Sequence, residues 1–497
     1  VSAALKALRA RLRRYGSVRA LCSADEALSV ADVERRVQQM TDLLRAERVR
    51  VLAIAADNSP DWAIVDLAAG SAGIPTVPVP PFFSMSQVEH VLADSGADAI
   101  AADEPVSVSL QSLATRFSTD LTPRLALLRL DAATSAAALP PGTAKISYTS
   151  GTTGTPKGVC LSQATMDRVA RSVADATGEL GLRRHLCLLP LATLLENVAG
   201  LHAALSAGAD VALPGQDEAG LCGAAGMDIR QLVRCLHSYQ PDSVILLPQM
   251  LAGLVGVLEQ GARLPSSLRF AAVGGGVVGL PLLQRAARVG IPVYEGYGLT
   301  ECSSVVALNM PEARRPGSVG RPLPHCHVRI GADGEVFVGG ATMESYLGHG
   351  RPTATEIATG DIGRFDADGF LYISGRKKNV LITSYGRNIS PEWVEAVLTA
   401  APSIAQAALF GDARPFNVAV IVPRSTAGVT AIEQDVAQVN RELPDYARVR
   451  RFILATAPFS PRDRTLTANG RLRRDAVYGL YAEAIEACYR DTLQSIA

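Results

Sequence analysis

The sequence predicts an α/β protein. It has a large N-terminal domain of layered α/β subdomains, a small β-rich subdomain over about residues 305–376, and a small α+β C-terminal domain, residues 377–497. Three observations carry this. Short apolar runs alternate with helical patterns up to about residue 300, as in parallel strands covered by helices. The texture then changes to short strands and turns. Beyond Gly375-Arg376-Lys377-Lys378, a mixed tail of about 120 residues is long enough to fold as its own unit.

The elements follow in order. Val1–Gly16 carries leucines at 5, 8 and 12 among arginines, which predicts an amphipathic surface helix and lacks the apolar stretch of a secretory signal. Val51–Ala56 reads as a strand, Asp57-Asn58-Ser59-Pro60 as a turn into the helix Trp62–Ala72, and Gly73–Val79 as a second buried strand. Ser86–Ser95 is helical and Ala97–Ala102 extended. Further strands are expected at Leu186–Leu189, Val211–Leu213, Val244–Leu247, Phe270–Val273 and Val293–Tyr294, and in the β-rich part at Val328–Ile330, Glu335–Val338 and Phe370–Ile373. No floppy linker precedes the last domain, which predicts a tight hinge and a mobile C-terminal domain.

Composition narrows the function. Forty-eight basic residues balance 48 acidic ones, so nothing points to nucleic acid or an anionic membrane. No apolar run reaches the roughly 18 residues of a membrane span. The eight cysteines form no C-x-x-C pair, which implies reduced thiols in a cytoplasmic protein rather than a zinc site or disulfide scaffold. Only five basic residues are lysines (6, 145, 157, 377 and 378), so each lysine is a candidate for work that arginine cannot do.

The strongest local signal is Tyr148–Val159 (YTSGTTGTPKGV). Its glycines, Gly151, Gly154 and Gly158, let backbone N–H groups approach an anion. Thr149, Ser150, Thr152 and Thr153 add hydroxyl donors, and Lys157 adds a mobile point charge. Pro156 before the lysine and Gly158 after it distinguish this from a Walker A loop.

This segment resembles the phosphate loop of the adenylate-forming superfamily of acyl-CoA synthetases, peptide-synthetase adenylation domains and luciferases. Further matches appear in the family's order: Asp57–Trp62 (DNSPDW), Tyr294–Glu301 (YEGYGLTE), Thr359–Arg376 (TGDIGRFDADGFLYISGR) and Tyr385–Glu395 (YGRNISPEWVE). The resemblance implies an enzyme that joins a carboxylic acid to AMP from ATP and Mg²⁺. Tyr297 would lie against the adenine, with Gly275 and Gly276 beside the nucleotide, and Thr300 would donate to the α-phosphate. Glu301 and Thr152 would hold Mg²⁺, and Asp361 and Arg376 would bind the ribose. The C-terminal domain would rotate about Lys378 and bring Gly386 and Arg387 into a tunnel for the pantetheine of CoA or of an acyl carrier protein.

Two positions depart from the family pattern. The lysine that bridges carboxylate and phosphate during adenylation is matched by Arg471, and the aromatic or His gate of the acyl pocket by Thr193. Leu191–Leu195 offers no carboxylate for an α-amino group. Short-chain relatives fill the pocket with Trp at the position of Gly298, and Gly274-Gly275-Gly276 makes a narrow wall. The expected acid is therefore medium- or long-chain, and the pattern is nearest to fatty acid–CoA ligases. Two other readings remain at this stage: an enzyme for an aryl or specialised acid that passes the acyl group to a carrier or amine, and a nucleotide-binding regulatory protein with impaired catalysis.

Overall fold

The computed structural model describes residues 2–15, 18–104, 106, 114–122, 124–130, 138–149, 156–222, 226–350, 354–384, 387–424, 427–467 and 470–493. Two large mixed sheets form the N-terminal part. The first has nine strands with a parallel centre, ordered Val293–Leu299, Phe270–Val273, Ser243–Leu246, Arg184–Leu186, Asp210–Ala212 and Arg19–Cys22. Antiparallel strands close both edges. The second has eight strands around the parallel set Thr143–Thr149, Thr76–Pro78, Leu52–Ala55 and Ala99–Asp103.

A four-stranded antiparallel sheet follows, Cys326–Ile330, Glu335–Gly340, Glu356–Phe365 and Leu371–Arg376. The last unit pairs a three-stranded sheet, Ile404–Phe410, Asn417–Pro423 and Val449–Leu454, with helices Pro391–Thr399, Val429–Glu442 and Arg474–Leu493. Among the described residues no helix is long and apolar enough to cross a membrane.

The helix expected at Trp62–Ala72 runs Pro60–Ala72. Ser59 caps it by accepting from the Trp62 N–H at 3.2 Å, Pro60 occupies the first turn, where a missing N–H costs nothing, and Gly73 ends it in the left-handed region. This helix is buried on every side, among residues of both large sheets, with Trp62 fully inaccessible. The N-terminal helix Ala3–Tyr15 joins the same core through Leu5 and Leu8.

One strand is displaced from its expected place. Arg184–Leu186 forms the ladder instead of Leu186–Leu189, because two polar residues are paired inside it. Arg184 donates to the Tyr239 carbonyl at 2.9 Å, and the His185 ring reaches Ser243 and Glu196. Hydrophobic periodicity does not register such buried polar partners.

A polar knot ties the layers together. Asp66, on the buried helix, takes Lys145 Nζ at 2.5 Å, His202 Nε2 at 3.0 Å and Asn197 Nδ2 at 3.2 Å. Lys145 lies on the strand that leads into the glycine-rich loop. Asn197 and His202 belong to a π-helical segment, Leu195–His202. Burial raises the Asp66 carboxyl, but Lys145 and then the hydrogen bond from His202 outweigh it and hold the group well below its usual range. A carboxylate with a depressed pKa stabilises the fold above its unfolded value, near 4, and that contribution fades as pH falls through the folded value. Lys145→Met leaves Asp66 buried without its main partner. It should cost about 3–5 kcal/mol in urea unfolding at neutral pH. Asp66→Asn should flatten the loss of stability below pH about 4.

Candidate active site

A cavity of about 1850 Å³ opens where the four-stranded sheet, the C-terminal unit and the C-terminal ends of the nine-stranded sheet meet. The expected nucleotide groups converge on it. Thr149, Lys157, Gly275, Gly276, Tyr297, Thr300, Glu301, Asp361, Arg376, Lys378 and Arg471 all line it. Ser150, Gly151, Thr152, Thr153 and Gly154 lie outside the described residues.

Asp361 and Arg376 are direct partners across two antiparallel strands, so the sheet itself fixes their ion pair at 2.7 Å. The Tyr297 hydroxyl donates to the other oxygen of Asp361 at 2.5 Å. Burial raises the Asp361 pKa, Arg376 and then Tyr297 counter it, and burial likewise raises that of Tyr297. Thr300 and Glu301 sit on a short 3₁₀ turn. The chain then bends through Ser303 and Ser304 at φ 55° and 108°, conformations that non-glycine residues rarely adopt. Glu301 Oε1 accepts from the Tyr346 hydroxyl at 2.8 Å.

Arg471 comes from the C-terminal unit. Its N–H donates to Thr467 Oγ1 at 2.9 Å, and its carbonyl accepts from the Thr467 N–H at 2.7 Å, closing a tight hairpin. The side chain, exposed at the cleft, lies within the fields of Asp361, Glu301 and Arg376, with partial loss of solvent in the cleft and then Arg376 lowering its pKa. Lys378 at the domain junction is lowered by the same two causes. Arg387 is exposed, paired through its backbone with Thr383, and is not part of the cleft wall; Gly386 lies outside the described residues.

Beyond these residues the cavity continues between the nine-stranded sheet and the π-helical segment, past Thr193, Gly274, Ala272 and Ile245. Thr193 donates its hydroxyl to the Pro190 carbonyl at 2.6 Å, so it closes a turn as well as lining the wall. Gly298 has a different rationale from the expected one. A Cβ there would lie 1.7 Å from the Ser304 carbonyl oxygen, so close approach of the backbones at a bulge demands glycine irrespective of any space left for an acyl group.

Two groups escaped the sequence reading. Tyr346 sits on a two-residue strand paired with Lys157–Ser162, and nothing in its local sequence marks it as cleft-lining. Glu295 also lines the cavity, where burial raises its carboxyl to about 8 against the Gly317 N–H that it accepts at 3.0 Å. Its place in YEGYGLTE was visible, but burial was not. A raised carboxyl pKa contributes stability below its unfolded value, near 4.3, and loses it as pH rises to the folded value. Glu295→Gln should therefore remove part of the decline in stability between about pH 5 and pH 8, read as a flatter dependence of the urea midpoint on pH.

Comparison with known proteins agrees with this geometry. Residues 8–347 match the model of the AMP-binding enzyme family and residues 378–493 that of the AMP-binding enzyme C-terminal domain. The chain is 28% identical to long-chain-fatty-acid–CoA ligase FadD15 of Mycobacterium bovis over 86% of each chain. It is 33% identical to indoleacetate–CoA ligase of Aromatoleum aromaticum over 68% of this chain and 67% of the other. Among solved structures, O-succinylbenzoate CoA synthetase from Bacillus subtilis, bound to ATP and magnesium, superposes with a TM-score of 0.73 at 25% identity, covering 94% of this chain and 98% of that one. A cleft that gathers Lys157, Arg376 and Arg471 around Glu301 and Asp361, together with these matches, establishes that the chain belongs to the AMP-binding enzyme family and is an adenylate-forming, AMP-forming ligase.

Proposed function

We propose that the chain activates a medium- or long-chain carboxylic acid and passes it to the thiol of CoA, or to carrier-protein pantetheine, which carries the same thiol. A carboxylate oxygen attacks the α-phosphorus of ATP, the bond to the β-phosphate bridge breaks, and pyrophosphate leaves. The thiol sulfur then attacks the acyl carbon, and AMP leaves.

In the first step two anions meet. Lys157, Arg471 and the loop 150–155 would offset the charge, and Thr300 would donate to the α-phosphate. Tyr297 would face the adenine, while Asp361 and Arg376 would take the ribose. Magnesium is a hard cation that takes oxygen ligands. Glu301 fits that demand, since its carboxylate faces the cleft and Tyr346 orients one of its oxygens. Thr152 is the second expected ligand. When bound, the ion supplies charge neutralisation on the phosphates. In the second step Lys378 would serve as the pivot that brings Gly386 and Arg387 to the cleft.

One observation supports a chain-like acid. The cavity runs down the strand Phe270–Val273 from Gly274 to Phe270, four residues or about 13 Å at roughly 3.3 Å per residue. Alanines 199 and 203 line the opposite side. Each buried CH₂ is worth about 0.8 kcal/mol, or about four-fold in affinity.

Acid-dependent ATP–pyrophosphate exchange over a chain-length series should show KM falling about four-fold per added CH₂ until the tunnel is filled. Exchange with aromatic acids alone would contradict the proposal, as would a KM independent of length. In the same assay Arg471→Ala should lower exchange by about 10²–10³-fold, whereas Arg471→Lys should stay within about ten-fold. Equal rates in all three proteins would place the essential cation elsewhere.

A further inference from the structure

The far end of the acyl cavity is not hydrocarbon. One row beyond Ile245 and Ala272, the residues His185, Ser243 and Phe270 stand side by side on three adjacent strands, and all three line the cavity. The wall around them is Val173, Leu182, Ala199 and Ala203. Thr177, another hydroxyl that lines the cavity, donates to the Val173 carbonyl at 2.9 Å.

His185 is held at both nitrogens, with Nε2 2.9 Å from Glu196 Oε1 and Nδ1 3.0 Å from Ser243 Oγ. Glu196 is fully buried in the π-helical segment, and its second oxygen accepts from the Leu189 N–H at 2.9 Å. Gly200, one turn along, makes room for it: a Cβ there would lie 2.1 Å from Glu196 Oε1. Cys187 stands beside the pair, fully buried, with burial and Glu196 pushing its thiol well up, so it remains a protonated neighbour.

The histidine and the glutamate therefore have their polar atoms engaged. The serine does not. A hydroxyl offers one donor and two acceptor positions. Among the described residues Ser243 Oγ uses one of these, towards His185. It is 6% exposed and faces the cavity, so what remains of its capacity is directed at whatever lies in the tunnel.

We infer that the tunnel takes an acyl chain bearing an oxygen function, a hydroxyl or ketone, remote from the carboxylate. Ser243 reads that oxygen, and His185 with Glu196 orients the serine. This rests on the reading of the cavity as a tunnel for a chain acid. The row lies about 13 Å along the strand from Gly274, which puts the oxygen near the middle of a long chain. A purely hydrocarbon chain would cover the hydroxyl without offering it a partner, and a site built to hydrogen-bond a substrate oxygen discriminates against the analogue lacking it.

The test compares CoA ligation of palmitic acid with that of the same chain hydroxylated or oxidised to a ketone near its middle. The wild-type enzyme should favour an oxygenated chain by about ten-fold or more in kcat/KM. Ser243→Ala should lower kcat/KM on that chain about ten-fold more than on palmitic acid, and Ser243→Thr, which keeps the hydroxyl, should retain a preference. Palmitic acid used as well as or better than both oxygenated chains would overturn the inference and leave the chain-acid reading standing. So would a preference that survives Ser243→Ala. If neither kind of chain is ligated while an aromatic acid is, the chain-acid reading fails, and the inference falls with it.

Discussion

Repulsion between a carboxylate and a triphosphate is the constraint around which the cleft is organised. At 4 Å two unit charges interact by about 4 kcal/mol in the dielectric of a protein surface, and more where water is excluded. Three separate units bring cations to the cleft; Lys157 and Arg471 are those proposed to offset the charge, and Arg376 pairs with Asp361. Lys157 lies at the end of the eight-stranded sheet, Arg376 on the four-stranded sheet and Arg471 on a hairpin of the C-terminal unit. None of the three could be brought together by local folding alone, so the electrostatics of the site depends on how the units are assembled. Arg471 reaches the cleft from the unit that follows Arg376–Lys378 in the chain.

The other end of the cavity depends on a different device. The segment Leu195–His202 is wound as a π-helix, a form that is rare and often found at functional sites. Two buried acid–base pairs hold it: Glu196 with His185 on one sheet, and His202 with Asp66 on the helix between the sheets. Lys145 extends the second pair to the strand that feeds the glycine-rich loop. The π-helical wall of the cavity and the strand that leads into the glycine-rich segment are therefore tied through one carboxylate, and a shift at either end must be accommodated by Asp66.

Much of this was legible in the residues. Alternating apolar runs located the parallel strands, and Ser59, Pro60 and Gly73 marked one helix nearly to the residue. Tyr297, Glu301, Asp361 and Arg376, which the ordered motifs single out, all line one cleft. The scarcity of lysine flagged Lys145, whose compact ammonium is buried against Asp66. What stayed hidden was polar structure inside apolar sequence. His185 lies in a strand and Glu196 in a helix with no motif around either, and Tyr346 reaches Glu301 from an isolated two-residue strand. Gly298 was read as leaving space in a pocket, whereas its backbone neighbour Ser304 sets the requirement. Pairings of this kind depend on register between distant strands, which periodicity does not encode.

The most direct measurement is a crystal structure with a non-hydrolysable acyl-adenylate carrying a long chain, such as an acyl-sulfamoyl adenosine. The prediction is an adenine lying against Tyr297 with its ribose at Asp361, Arg471 beside the sulfamoyl group, and the chain descending past Gly274 and Ala272 to the row of Ser243 and Phe270. A chain that turns away above Ala272, or an Arg471 side chain directed out of the cleft, would contradict it.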